Sequence, residues 1–414
     1  MICVNDFVGV TDNEILEKAI ASRQADGIVV IPPRSSNIEP ERTYWLLDRA
    51  ILLPANTTVV LQNCTIKLSD KCRDNFFRSA NCGIGIEYPE RIENIHIRGE
   101  GTCTLLGADH PRATGDGGKI LENPCPYDAE AIERLGKWSP NQWHDYSYGT
   151  DAGKEGESQL GDWRGIGVLL ANVEHFSIEN LRIVDSHGWG ISLEACAYGY
   201  VSRIEFSAYM HKMIDGMRSN MENQDGIDVR NGCHHIIISD ITGCTGDDMV
   251  ALTAIANPNF LPGGSMCTTH VMHNDWAKRE ADIHDIVIRN VVGYSNICWM
   301  VRLLAADCVI HDVVIDGIID TAPAELVHGG GLLIGEPDGA YGKNLPDSIR
   351  NITISNVVAG GSKAIQMDGY LTDSVITNVI YKGTEQEGMK FARFDGIKNV
   401  NIINYCQTRY RGQQ

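Results

Sequence analysis

The chain has 414 residues, with 54 Asp and Glu against 35 Lys and Arg, a formal net charge of −19. A field of that sign repels polyanions, so nucleic acid and anionic membrane surfaces are disfavoured as partners. The opening "MICVNDFVGVTDNEILEKAI" lacks a basic stretch followed by an apolar one, and no run of 18 apolar residues occurs. The expectation is a soluble, cytoplasmic protein.

Thr11 and Glu14 have capping-box spacing ahead of "ILEKAIASR", and "GIVVIPP" follows as a strand. These residues, about 1–35, are expected to form a helical cap over the end of a repeat structure. The 13 cysteines are scattered without a C-x-x-C pair, which suits buried reduced thiols better than a disulfide framework or a structural zinc site.

One phrase then recurs: a short alternating run of β-branched residues, a polar residue that is often Asn or Asp, and a second such run. It appears in "RIENIHIRGEG", "NVEHFSIENLRIVDS", "CHHIIISDITGC", "DIHDIVIRNVVGYS", "CVIHDVVIDGIID", "SIRNITISNVVAG", "DSVITNVIYKG" and "IKNVNIINYC". A repeat of roughly 20 to 30 residues with period-2 alternation predicts an all-β solenoid, a parallel β-helix spanning 1–414 as one domain. A β-sandwich would need Asn-Gly or Asp-Gly hairpins between closely paired runs, and those dipeptides mostly fall between rungs.

The rhythm breaks at 107–165, a Gly-, Pro- and aromatic-rich stretch with Trp138, Trp143, Tyr146, Tyr148 and Trp163. It reads either as a substrate-binding loop or as a loop packed over the solenoid. Next, "DSHGWGISLEAC" supplies His187 and Trp189 as candidate groove residues, the indole being able to stack on a sugar ring.

The chemistry concentrates in "NQDGIDVRNGCHHIIISDITGCTGDDMVAL". Asp225 precedes Asp247 and Asp248 by about one turn, and stacked turns lie about 4.8 Å apart. Three crowded carboxylates repel, so at least one is expected to keep its proton near neutrality, giving an acid beside a base. Spacing alone leaves glycoside hydrolysis, Ca²⁺ binding and plain turn chemistry open. His234 and His235 follow Cys233, but strand alternation sends neighbouring side chains to opposite faces, so a structural role is expected and no metal site. "VHGGGLLIGEPDGAYG" lacks the G-K-[S/T] ending of a phosphate loop.

Here "NQDGIDV" and "GDDMVAL" resemble the Asn-x-Asp-Gly and Gly/Gln-Asp-Asp signatures of glycoside hydrolase family 28, the polygalacturonases and their relatives. The cap resembles that of the wider pectin-active superfamily. The resemblance implies a right-handed single-stranded parallel β-helix and an inverting glycoside hydrolase with no cofactor. Asp247 would protonate the leaving oxygen, Asp225 and Asp248 would hold and deprotonate water, and Asn223 would position the substrate or the cluster. A site histidine is expected in "TTHVM", at His270, without the family's flanking glycines; His328 is its rival. "MVRLLA" places Arg302 where the family has a carboxylate-binding Arg, but Leu304 stands where a Lys would be. The expected substrate is therefore an oligosaccharide with one uronic acid or a neutral sugar, cut from an end if the 107–165 insertion blocks the groove. The rival readings are a Ca²⁺-dependent lyase or epimerase and a non-catalytic carbohydrate-binding β-helix. Oligomeric state is not legible.

Overall fold

A computed structural model describes residues 1–72, 74–83, 86, 88–111, 165–214, 217–221, 223–255, 280–336, 342–391 and 396–408. The architecture is a right-handed parallel β-helix. The chain divides into two compact units, Met1–Ser192 with Ser207–Gln224 and Asn259–Met272, and Leu193–Phe206 with Asp225–Pro258 and His273–Gln414. Among the described residues no helix is long and apolar enough to cross a membrane.

In the first unit the capping spacing is realised. The helix Asp12–Ala21 starts at Thr11, whose hydroxyl accepts the Glu14 N–H at 3.2 Å. Glu14 reaches back not to Thr11 but to the Val10 N–H at 3.1 Å, satisfying a donor just outside the helix. Asp12, fully buried at the first turn, accepts from Arg34, Arg42 and the Leu46 N–H, so its charge is paired and hydrogen-bonded, as burial demands. The strand Ile28–Ile31 follows and pairs in parallel with Thr57–Gln62, which pairs with Ile92–Glu100, which pairs with Val173–Val184.

In the second unit the repeated phrase becomes rungs. The long strands His234–Thr245, Ile283–Ser295, Ile310–Asp320, Ile349–Ala359, Leu371–Tyr381 and Ile397–Gln407 pair in parallel, each with the next. Their register stacks aliphatic columns: Ile236 on Ile286, Val313 and Ile352; Ile238 on Ile288, Ile315, Ile354 and Ile376; Ile241 on Val291, Ile318, Val357 and Val379. These residues are essentially fully buried, each contributing roughly 1.5–3 kcal/mol of apolar burial.

Inward positions are spaced by two residues and then by three, and the Asn and Asp between the runs explain why. Asp240, Asn290, Asn356, Asn378 and Asn404 all have φ between 54° and 59°. That left-handed conformation, which Asn and Asp tolerate better than most residues, turns the chain through a corner. The corners also bond to one another: Asn290 donates to Asp240 at 3.0 Å, Asn378 to Asn356 at 3.1 Å and Asn404 to Asn378 at 3.0 Å.

The turn length is less regular than the sequence suggests. Short stretches of chain separate the register partners Ile354 and Ile376, and likewise Ile286 and Val313. Much longer ones separate Val313 from Ile352 and Ile236 from Ile286. Loops of different length leave the same corner ladder and return to it. The second face of this unit pairs Ile227–Arg230, Val250–Ile255, Trp299–Ala306, Gly330–Ile334, Lys363–Met367 and Met389–Phe391 in that order. The glycine-rich stretch belongs to this stack. A Cβ on Gly330 would lie 2.1 Å from the Lys363 carbonyl oxygen and one on Gly331 2.2 Å from that of Ala364.

Candidate active site

The aspartates sit at the start of two adjacent strands of this second face. Ile227 pairs with Val250, so the interval from Asp225 to Asp248 equals one register step, and the Gly226 N–H donates to the Asp248 carbonyl at 2.9 Å. Glycine at 226 is a matter of space: a Cβ there would meet the Met249 carbonyl oxygen at 2.4 Å and Phe206 and Thr245 at 3.0 and 3.2 Å. The Gly of the Asn-x-Asp-Gly phrase thus lets the two Asp-bearing rungs close up.

Asp247 and Asp248 occupy different environments. The Thr245 hydroxyl donates to the Asp247 carbonyl at 2.6 Å, and the Asp248 N–H donates to Asp247 Oδ1 at 2.9 Å, which fixes the turn. Asp247 is half-buried, whereas Asp248 is 1% exposed and Asp225 7%. Asp248 Oδ1 accepts the Trp299 N–H at 2.9 Å from the next rung, and Oδ2 accepts from Arg302 Nη1 at 3.3 Å. Burial is the largest influence on the Asp248 carboxyl and pushes it up. Arg302 pulls it back, Asp247 pushes it further, and the result is a value raised to about 7.

The partly buried Cys298 completes the cluster. Its thiol hydrogen-bonds to Asp247, and ligand atoms of Asp247, Asp248 and Cys298 lie within 4.8 Å of one another. Burial and the charges of Asp248, Asp247 and Asp225 drive this thiol well above its usual range, so it remains a neutral donor. A soft thiol is a poor Ca²⁺ ligand, and the Arg302 guanidinium against Asp248 competes with any cation for that carboxylate.

Arg302 is held twice. Besides Asp248, it donates through Nη2 to Glu336 Oε2 at 2.6 Å. Glu336 is absent from the sequence-level site, yet it follows the strand Gly330–Ile334, whose Leu333 is the register partner of Arg302. Leu304 packs with Ile255 and Ala306 and is 2% exposed, so the position expected for a Lys is part of an apolar core.

The other sequence-level candidates divide. Asn223 belongs to the first unit, is half-buried and has a left-handed φ of 53°. Trp189 is 6% exposed and packs with Cys82, Ile166, Leu169 and Ala171, and His187 accepts the Ala108 N–H at 2.9 Å through Nε2. Both are core residues where groove residues were expected. His328 is buried and held between Asp320, at 3.0 Å from Nε2, and the Leu326 carbonyl, at 3.1 Å from Nδ1. Burial works most strongly against its charge, but Asp320 and the Leu326 carbonyl together raise its pKa. His270 and residues 112–164 of the aromatic stretch lie outside the described residues.

No family model and no curated protein matches this sequence. Solved structures do match. An exopolygalacturonase from Thermotoga maritima aligns over 99% of this chain and 93% of its own, with TM-score 0.53 and 15% identity. A family 28 exopolygalacturonase from Yersinia enterocolitica aligns over 100% and 76%, with TM-score 0.50 and 13% identity. An endo-xylogalacturonan hydrolase from Aspergillus tubingensis aligns over 97% and 91%, also with TM-score 0.50 and 13% identity. The chain is a right-handed parallel β-helix of the kind built by the polygalacturonases of glycoside hydrolase family 28.

Proposed function

We propose that the protein is an inverting glycoside hydrolase acting on a pectin-related or similar oligosaccharide. The observation that carries this reading is the pairing of a half-buried Asp247 with a buried Asp248 whose carboxyl is raised to about 7, both beside Asp225 one rung away. Such a group of carboxyls holds a proton at neutral pH and still offers a carboxylate, which is what acid–base cleavage of a glycosidic bond requires.

In this reading the proton held by the Asp247–Asp248 pair is delivered to the leaving oxygen by Asp247, the more exposed of the two. Asp225 and Asp248 hold the attacking water. With Asp248 about half protonated near pH 7, Asp225 takes the water's proton. Asn223 and His270 keep the positioning roles that the resemblance implies. The Arg302–Glu336 contact supports a subsite for a neutral sugar, since two guanidinium nitrogens already face internal carboxylates. Exo action is the mode that the 107–165 insertion in the sequence favours.

The test is a screen of wild type and Asp247→Asn against oligogalacturonides, xylogalacturonan and rhamnogalacturonan fragments and neutral aryl glycosides, scoring reducing ends and ultraviolet absorbance, with proton NMR of the first product. New reducing ends with inverted anomeric configuration, absent in the variant, support the proposal. An unsaturated product abolished by EDTA would replace it with a lyase.

A further inference from the structure

Outside the aspartate site, imidazoles gather on the exposed corner of the second unit. His234, His284 and His311 are direct register partners on three successive strands. Their rings stack at 5.0 Å between centroids, tilted by 2° and 8°. His235 joins them because it occupies the corner position, with φ 54°. Left-handed backbone breaks the alternation that would have sent it to the opposite face, so the His234 and His235 Nδ1 atoms lie 2.9 Å apart. This corrects the expectation that the two histidines diverge.

One rung on, the equivalent corner is Asp285, with φ 55°. Its Oδ2 lies 2.7 Å from His284 Nδ1 and 3.7 Å from His235 Nδ1. The next rung repeats the pair as His311 and Asp312 at 2.6 Å, but there Asn351 donates to Asp312 at 3.1 Å, so the adjoining corner offers an amide instead of an imidazole. Among the described residues, the His235 end alone brings two imidazoles from different rungs to a single carboxylate.

We propose that His235, His284 and Asp285 form a binding site for a borderline divalent transition ion of the Zn²⁺ class. Ligand atoms of these three residues all lie within 4.8 Å of one another. A tetrahedral ion with bonds of about 2.0–2.2 Å holds its ligand atoms about 3.4 Å apart. The distances of 2.7 and 3.7 Å to Asp285 Oδ2 straddle that value, so small side-chain rotations close the site. The side chains are 48%, 31% and 46% exposed, which leaves both the entry path and the rotations open. Two nitrogens and one oxygen favour Zn²⁺, Ni²⁺ or Cu²⁺ over Ca²⁺ or Mg²⁺. Water or His234 takes the fourth position. The ion would clip the strands His234–Thr245 and Ile283–Ser295 together at the point where the chain between register partners is long. This inference is independent of the glycosidase reading.

The test uses the full, tag-free chain after EDTA treatment, with calorimetric titration of ZnCl₂ and thermal unfolding with and without the metal. The wild type is expected to bind one equivalent and to unfold at higher temperature with Zn²⁺ present, because the native state alone assembles the site. His235→Asn and Asp285→Asn, which suit a left-handed corner, should each weaken that binding about tenfold or more and remove the thermal shift. Asp247→Asn should leave both unchanged, which separates this site from the Asp247, Asp248 and Cys298 cluster. Absence of binding by the wild type, or undiminished binding by both corner variants, would overturn the proposal.

Discussion

Arg302 donates to Glu336 across 2.6 Å, closer than it approaches Asp248 at 3.3 Å. The side chain to which the resemblance assigns a sugar carboxylate is therefore already paired with an internal one. Glu336→Gln removes that competing charge. The expected result is a lower KM for substrates carrying a carboxylate at this subsite, by a factor of about 10, with little change for neutral ones. Equal KM changes for both classes would mean that Glu336 does not tune charge recognition.

Asp247→Asn should reduce turnover by about 10²–10⁴-fold, the usual worth of a positioned acid. Its half-buried side chain carries little of the core, so the melting temperature should stay close to that of wild type. Retained turnover would remove Asp247 from the acid role.

Asp248 should trade stability for chemistry. Its folded pKa, about 7, lies above the ordinary value of 3.8, so the folded protein favours the protonated form. That preference is fully present below pH 3.8 and is lost as pH rises through about 7. Asp248→Asn mimics the protonated form and keeps an acceptor for the Trp299 N–H. Above pH 7 it should be more stable than wild type by at most roughly 4 kcal/mol, a figure that already includes the opposing pull of Arg302. It should also be inactive. Denaturant midpoints at pH 5 and pH 8 test this, and a variant no more stable at pH 8 would contradict it.

The His328–Asp320 pair predicts a different pH window. His328 is raised from 6.5 by Asp320 against the opposing effect of burial, so its contribution is full below pH 6.5 and fades as pH climbs through the raised value. Burial works against the Asp320 charge too, yet hydrogen bonds from His328 and two backbone N–H groups lower its pKa, so its contribution fades only as pH falls through that lowered value. The stability gap between wild type and His328→Gln should be widest between these limits and narrow above pH 6.5. A gap that stays constant from pH 5 to 9 would rule out this coupling.

Gly226→Ala forces a Cβ to within 2.4 Å of the Met249 carbonyl oxygen. Backbone cannot yield cheaply there, so a loss of about 1–3 kcal/mol is expected. Because the shift separates the rungs bearing Asp225 and Asp248, kcat should fall more than KM rises. Kinetics like those of wild type, despite reduced stability, would show that the rung spacing is not critical.

Much of this was visible in the sequence because it depends on counting. The interval from Asp225 to Asp248 equals that from Ile227 to its register partner Val250, and the Asn and Asp between alternating runs proved to be left-handed corners. What escaped depended on geometry that counting does not reach. A histidine at a corner looks, in sequence, like any other strand residue, so alternation places His235 on the wrong face. Glu336 carries no sequence signal as the partner of Arg302, because a long stretch of chain, including a glycine-rich strand, separates the two. Trp189 and His187 carry the right chemistry for a sugar groove, and only packing reveals that a core has claimed them.

The corner ladder has a consequence for how this chain can change over generations. The chain between register partners already varies widely in length, from the short step between Ile354 and Ile376 to the long one between Ile236 and Ile286, so insertions in such loops leave the stacked columns in register. A single deletion between Gly226 and Asp247 is another matter: it would slip the rung and turn Asp247 and Asp248 away from their partners. Changes in loop length are thus absorbed between the described register partners, while in the arc from Gly226 to Asp247 the residue count itself keeps Asp225 and Asp248 in step.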